Sequence, residues 1–258
     1  MRELNKGSKP YLISLEQICN EIKEHLQGKK YLLVLDDVWT DHYDNWLEFE
    51  EILKVGQRRS RIVVTTRSKK VARNLGGQIY ELKGLADEES WRLFERMSFT
   101  PDQIKSHDDD LVMLGKKIVK KCKNVPLAVK LVGSLLRYQS MPMWELFENR
   151  GISMLNENDD TMNQILKLSY HQLVSPLKSC FAYSAIFPKN FEIDKRMLIN
   201  LWMAQGYVNV DYEGEEYIRT LLQRCFFQDI VEDKWGEVDR FKIHDLLHDV
   251  AEEVAGEE

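Results

Sequence analysis

Apolar residues recur along this chain with two periods, and the switches between them mark its organisation. Leu15, Ile18, Ile22 and Leu26 fall three and four apart before Gly28, the spacing of one helix face. Tyr31 to Leu35 is a continuous apolar run that reads as a buried parallel strand. Trp46 to Leu53 reads as a helix, and the β-branched run Arg61 to Thr66 as a second strand. Lys69 to Leu75 predicts a short helix stopped by Gly76-Gly77, and Ile79 to Leu82 a third strand. Strands separated by helices predict a parallel sheet with helices on its faces.

Beyond Gly84 the strand signals vanish. Asp87 reads as an N-cap, with Glu88 and Glu89 suited to the helix dipole and Trp91, Phe94 and Met97 behind them. A second helix runs from Asp110, with Leu111, Leu114, Ile118 and Cys122 on one face. A third opens at Pro126 and carries the stripe Leu127, Leu131 and Leu135. These helices predict a small bundle from Ala86 to Gly151. The polar segment Asn156 to Asp160 reads as a loop and a second boundary.

Helical spacing then resumes at Met162, Leu166, Tyr170 and Leu173, and Leu177 to Phe187 is a further helix that Pro188 stops. Asp194 caps the next, with Met197, Leu198, Leu201 and Trp202 inside and Gly206 at its end. Glu215 to Cys225 is another. The period drops to two at Phe226 to Glu232 and Val238 to Ile243, a hairpin about Asp233 to Glu237, before a last helix near His244. Helices followed by a hairpin predict a winged-helix unit. The expected domains are thus 1–85, a partial α/β domain; 86–155, a helical bundle; and 156–258, a winged-helix domain.

A length of 258 residues suggests more than one compact unit, and 43% hydrophobic residues with six Trp can fill their cores. The net charge of −6 argues against a nucleic-acid partner. Cys19, Cys122, Cys180 and Cys225 form no C-x-x-C pair, so neither a zinc ribbon nor a redox pair is signalled. Buried reduced thiols in a cytoplasmic protein are expected. Arg2, Glu3 and Lys6 lead into no long apolar region, and no run approaches the ~20 residues of a membrane span, so no membrane partner is expected.

Candidate chemistry begins where the first strand ends, in Asp36-Asp37. Paired aspartates at such a strand end are how many nucleotide-hydrolysing proteins hold Mg²⁺ beside a phosphate. The bland alternative is an acidic turn. The G-x-x-x-x-G-K-[ST] phosphate loop occurs nowhere in the sequence. Arg67, just past the second strand, can fork onto phosphate oxygens or be a solvated loop residue. Thr65 and Thr66 are polar wall or simply β-formers. His244 stands where a hairpin hands over to a helix N-terminus, a place that favours an anion, or it is a capping histidine. His244 and His248 share a helix face and mimic H-E-x-x-H, but Asp245 replaces the general-base Glu and no third ligand is evident. The expected recognition segment of the winged helix, Arg196 to Gln205, is dominated by Met197, Leu198, Ile199, Leu201, Trp202 and Met203. Such a face suits a core or a protein partner rather than DNA.

The order of motifs is more specific than any one of them. LVLDDVW (33–39), RIVVTTRS (61–68), GLADEESWRLF (84–94), NVPLAV (124–129), CFAYSAIFPKNFEIDKRMLINLWMAQGYV (180–208) and IHDLLHDVA (243–251) together resemble the nucleotide-binding NB-ARC region of plant nucleotide-binding leucine-rich-repeat disease-resistance proteins. Trp39 and the long block resemble the coiled-coil class of that family. The match covers nearly the whole chain. Two departures stand out: Asn124 replaces a Gly, a change that left-handed geometry tolerates, and Ile243 replaces Met. The phosphate loop and its surrounding strands have no counterpart in the sequence, so the chain reads as N-terminally truncated.

The resemblance implies a partial P-loop-type parallel sheet, then a helical bundle and a winged helix. It implies that Asp36 holds Mg²⁺ and Asp37 orients an attacking water. Arg67, beside Thr66, would contact the terminal phosphate, and Pro126 with Leu127 would pack on base and ribose. His244 would touch the β-phosphate of ADP in the resting state, with Asp245 fixing the turn. The implied partners are ADP or ATP and the receptor's other parts, a coiled coil, leucine-rich repeats or another receptor chain. In the resembling fold a strand before the phosphate loop lies between Arg61–Thr66 and Ile79–Leu82; without it both face open edges. The chain alone is therefore expected to bind ADP weakly and not to turn over ATP. The alternatives are a truncated, non-catalytic interaction module and a metallohydrolase on His244 and His248.

Overall fold

Alternating strands and helices build the first part of the molecule, and helices dominate the rest. The computed structural model describes residues 14–39, 43–106, 108–151 and 161–256. The chain divides into two units, Met1–Leu82 and Lys83–Glu258.

In the first unit, α1 (Leu15–Leu26) starts from a reciprocal cap. The Ser14 hydroxyl accepts the Gln17 N–H, and the Gln17 side chain accepts the Ser14 N–H. Then follow β1 (Leu32–Leu35), α2 (Tyr43–Leu53), β2 (Arg61–Val64) and α3 (Lys69–Asn74). β1 and β2 pair in parallel, Leu32 opposite Arg61 through Leu35 opposite Val64, as strands joined across a helix must. Two expectations need correction. Ile79 to Leu82 is not a strand, and Tyr80 and Leu82 are exposed. A strand requires a neighbour for its backbone hydrogen bonds, and among the described residues none pairs with it. Nor is β1 buried on both faces. Leu33 and Leu35 are half-buried, but Leu32 and Val34, pointing the other way, are 66% and 58% exposed.

The second unit runs through α4 (Asp87–Ser98), α5 (Pro101–Ser106), α6 (Asp109–Lys121), α7 (Pro126–Leu136), α8 (Met141–Leu146) with a π-helical turn at Phe147–Gly151, α9 (Thr161–His171) and α10 (Ser175–Tyr183). After β3 (Ile193–Asp194) come α11 (Lys195–Ala204), α12 (Asp211–Gln223), β4 (Phe227–Glu232), β5 (Val238–Ile243) and α13 (Asp245–Ala255). One hydrophobic core passes through all of it, from Phe94, Leu131 and Trp144 to Phe181, Trp202 and Phe241. Phe94 and Phe99 meet Trp144 edge-on at 5.7 and 5.4 Å, and the indole N–H donates to the Leu136 carbonyl at 3.1 Å. Trp144 is thus buried with its one polar atom satisfied. The expected boundary loop, Asn156 to Asp160, lies outside the described residues.

Asp87 is not the cap of α4 but its first residue. Ala86 holds the cap position, and Glu89 accepts the Ala86 N–H at 3.1 Å in place of a cap side chain. β3 also escaped the pattern, being too short to show a period. It joins an antiparallel sheet in the order β3-β5-β4, with Ile193 opposite Phe241 and Phe227 opposite Ile243. This sheet and the packed pair α11 and α12 make the winged helix. In a helix-turn-helix the second helix is the reading one, so that position belongs to α12 rather than to Arg196 to Gln205. α12 carries Asp211, Glu213, Glu215 and Glu216, the wrong sign for a phosphate backbone. In α11, Leu198, Ile199 and Trp202 are buried core. Among the described residues no helix is long and apolar enough to cross a membrane.

Candidate functional site

β1 and β2 end side by side, and ligands of parallel sheets bind in the crevice beyond such carboxyl ends. The pairing outlasts the strands. The Thr65 N–H donates to the Leu35 carbonyl at 2.9 Å, and the Val38 N–H to the Thr65 carbonyl at 2.9 Å. Thr65 is the centre of the arrangement: its hydroxyl donates to Asp36 Oδ1 and accepts the Asp37 N–H at 2.8 Å. Asp37 has a positive φ of 54°, a conformation Asp tolerates better than most residues.

The Asp37 carboxylate is shared. Oδ2 accepts the Trp39 indole N–H at 2.7 Å, and Oδ1 faces Arg67 Nε at 3.5 Å. The Arg67 guanidinium lies over the Trp39 ring, 3.7 Å from its centre. The Thr66 hydroxyl donates to the Val38 carbonyl at 2.7 Å and accepts the Ser68 N–H at 3.1 Å. Ser68 in turn caps α3 through the Val71 N–H. So Asp36, Asp37, Thr66 and Arg67 come together in the first unit, with Thr66 tying the two strand-end turns to each other. The sequence reading gave Trp39 no chemical part. Its place in LVLDDVW carries a family resemblance but names no chemistry, and only the turn shows that it reaches back to Asp37.

Asp36 supplies a hard oxygen donor, and the Thr65 hydroxyl stands beside it. Among the described residues no three His, Cys, Asp or Glu side chains gather as a metal-binding group. Asp36 would offer one carboxylate to Mg²⁺, an ion that takes its remaining oxygens from waters and phosphate.

The other predicted residues belong to the second unit. Pro126 is an exposed first-turn residue of α7, and Leu127 is half-buried against the core. The turn before them is left-handed at Lys123 and Asn124, φ 50° and 60°, as expected for Asn in a glycine's place. Asn124 accepts the Leu85 N–H on its carbonyl at 2.9 Å and donates from Nδ2 to Asp87 Oδ1 at 2.8 Å. Gly84 passes so close that a Cβ there would sit 2.5 Å from the Asn124 carbonyl oxygen.

His244 is the N-cap of α13, and its Nδ1 accepts the Leu246 N–H at 3.2 Å. A neutral ring with Nδ1 accepting carries its proton on Nε2, a donor suited to an anion. α7 and α13 both pack on α9. His248 is buried, with Nε2 2.6 Å from the Phe187 carbonyl, which only an N–H can satisfy. Each histidine of the protease-like pair thus has a structural partner of its own. Burial pushes the Cys122 and Cys180 thiols up to about 12, and all four cysteines are free.

Comparison with known proteins agrees with this architecture. A family model described as the NB-ARC domain matches residues 3–103, and one described as the disease resistance protein winged helix domain matches residues 186–251. The disease resistance protein RGA2 of Solanum bulbocastanum is 40% identical over 247 residues, covering 93% of this chain and 25% of that protein. The disease resistance protein RPP13 of Arabidopsis thaliana is 35% identical over 235 residues, covering 88% and 28%. This chain therefore spans about a quarter of the length of the curated relatives it matches. Among solved structures, a signal transduction ATPase with numerous domains and a tetratricopeptide repeat sensor, from Pyrococcus horikoshii, aligns with a TM-score of 0.50 at 17% identity. That alignment covers 93% of this chain and 29% of the other, a likeness of fold. The chain belongs to the family of plant disease resistance proteins that join an NB-ARC domain to a disease resistance winged helix domain.

Proposed function

We propose that this chain is the nucleotide-switch portion of a cytoplasmic plant immune receptor, holding ADP at rest and ATP when active. The observation that carries this reading is the join at Thr65, which orders Asp36, Asp37 and Arg67 around the ends of two parallel strands. In this reading Asp36 holds Mg²⁺, which neutralises charge on the phosphate oxygens, and Asp37 orients water. Arg67 meets the terminal phosphate, Pro126 and Leu127 meet base and ribose, and the Nε2–H of His244 meets the β-phosphate. The segments 86–155 and 156–258 are the helical-bundle and winged-helix subdomains of the switch. Receptor parts outside this chain, a coiled coil and leucine-rich repeats, are its partners.

The sequence contains no glycine-rich phosphate loop, so this stretch alone holds nucleotide weakly and does not hydrolyse ATP. A second reading, a non-catalytic interaction module, draws on the exposed Leu32 and Val34 face of β1. Titration calorimetry with ADP and Mg²⁺ on the chain and its Thr65→Val variant separates them. A switch fragment gives weak binding that Thr65→Val abolishes; an interaction module gives none in either.

A further inference from the structure

Within the first unit Arg67 meets both Asp37 and Trp39. Its Nε faces Asp37 Oδ1 at 3.5 Å, and its guanidinium lies on the Trp39 ring at 3.7 Å. Trp39 is itself fixed, because its indole N–H donates to the same carboxylate at 2.7 Å. The three side chains close a ring in which one carboxylate orients both the cation and the surface beneath it. Trp39 is 48% exposed, so it contributes little to a core. An indole that hydrogen-bonds an acidic residue while supporting an arginine is poorly explained as packing. A guanidinium is planar and recognises phosphate through a fork in that plane, so its orientation decides how well it can bind. A long arginine side chain left alone would lose rotamer freedom on meeting an anion.

We propose that Trp39 is a positioning residue: by stacking under Arg67 and bonding Asp37, it fixes the guanidinium plane with which Arg67 meets a polyphosphate. The inference rests on the nucleotide reading of this site and adds to it a residue without contact to the ligand. Stacking of this kind at an exposed site is worth about two- to fivefold in an equilibrium constant.

The test uses the whole chain, with MgATP as probe, followed by NMR so that millimolar affinities are readable. Without ligand, the Arg67 Nε–H signal should be shifted by the indole ring current in the wild type and in Trp39→Phe to a lesser degree, and should return to its ordinary position in Trp39→Ala. Trp39→Ala should weaken MgATP about two- to fivefold, Trp39→Phe less, and neither change should matter once Arg67→Ala is present. An unshifted Arg67 signal in the wild type overturns the proposal. So does an Arg67→Ala variant that weakens MgATP beside a Trp39→Ala variant that does not, and in that case the nucleotide reading survives. If Arg67→Ala leaves MgATP binding unchanged, or no binding occurs, the nucleotide reading and the proposal fall together.

Discussion

The Asn124 amide donates to the Asp87 carboxylate across 2.8 Å, tying the turn before α7 to the first residue of α4. A glycine, which the family pattern has here, would fit the left-handed turn but could not make that bond. Asn124→Ala should therefore lose the bond and also strain the backbone at φ 60°, at a cost of about 1–2 kcal/mol. Asn124→Gly loses only the bond and should stay within about 1 kcal/mol of the wild type. Urea denaturation of the two variants checks this, and equal losses would contradict the backbone argument.

The first unit buries Ile52, Leu53 and Val71, whereas the second has the continuous core that includes Trp144, Phe181, Trp202 and Phe241. Local stability follows buried apolar contact. Limited proteolysis should cut first within residues 14–82 and leave a resistant fragment beginning near Ala86. A protected first unit with early cuts in the second would count against the reading.

His248 links α13 to the Phe187 carbonyl through its Nε2. His248→Ala should leave a partly buried carbonyl without this donor and lower stability by about 1 kcal/mol. A chelator should leave the melting temperature unchanged. Stoichiometric zinc after purification, or a melting temperature lowered by chelation, would revive the hydrolase alternative.

Burial disfavours the thiolates of Cys122 and Cys180, whose folded values rise to about 12 against about 8.5 for an ordinary thiol. Above that ordinary value the unfolded chain releases protons that the folded chain keeps. Stability contributed by the neutral thiols is present below about pH 8.5 and declines as pH rises toward 12. The urea midpoint should fall between pH 8 and pH 10, and more shallowly in Cys122→Ala. A slope unaffected by that substitution would show that Cys122 takes no part.

Most of the architecture was legible because its signals are local. The capping aspartate Asp194, whose carboxylate accepts the Met197 N–H at 2.8 Å, the proline opening α7 and the hairpin into α13 each announce themselves within a few residues. What failed depended on distant partners. Ile79 to Leu82 has strand composition, but composition cannot supply a neighbour to pair with. β1 reads as doubly buried only if something covers Leu32 and Val34. The recognition helix was misplaced because β3, two residues long, leaves no periodic trace. At the site, the aspartates and Arg67 were visible as motif members. The roles of Thr65 and Trp39 were not, since each depends on one strand end facing another.

The most direct test of the account is a titration of the chain with MgADP, read by amide NMR shifts. The account predicts shifts at Asp36 to Trp39 and Thr65 to Arg67 that saturate only at high-micromolar to millimolar ligand, about −4 to −5.5 kcal/mol of binding. Saturation below micromolar, or silence of both segments at millimolar ligand, would contradict it.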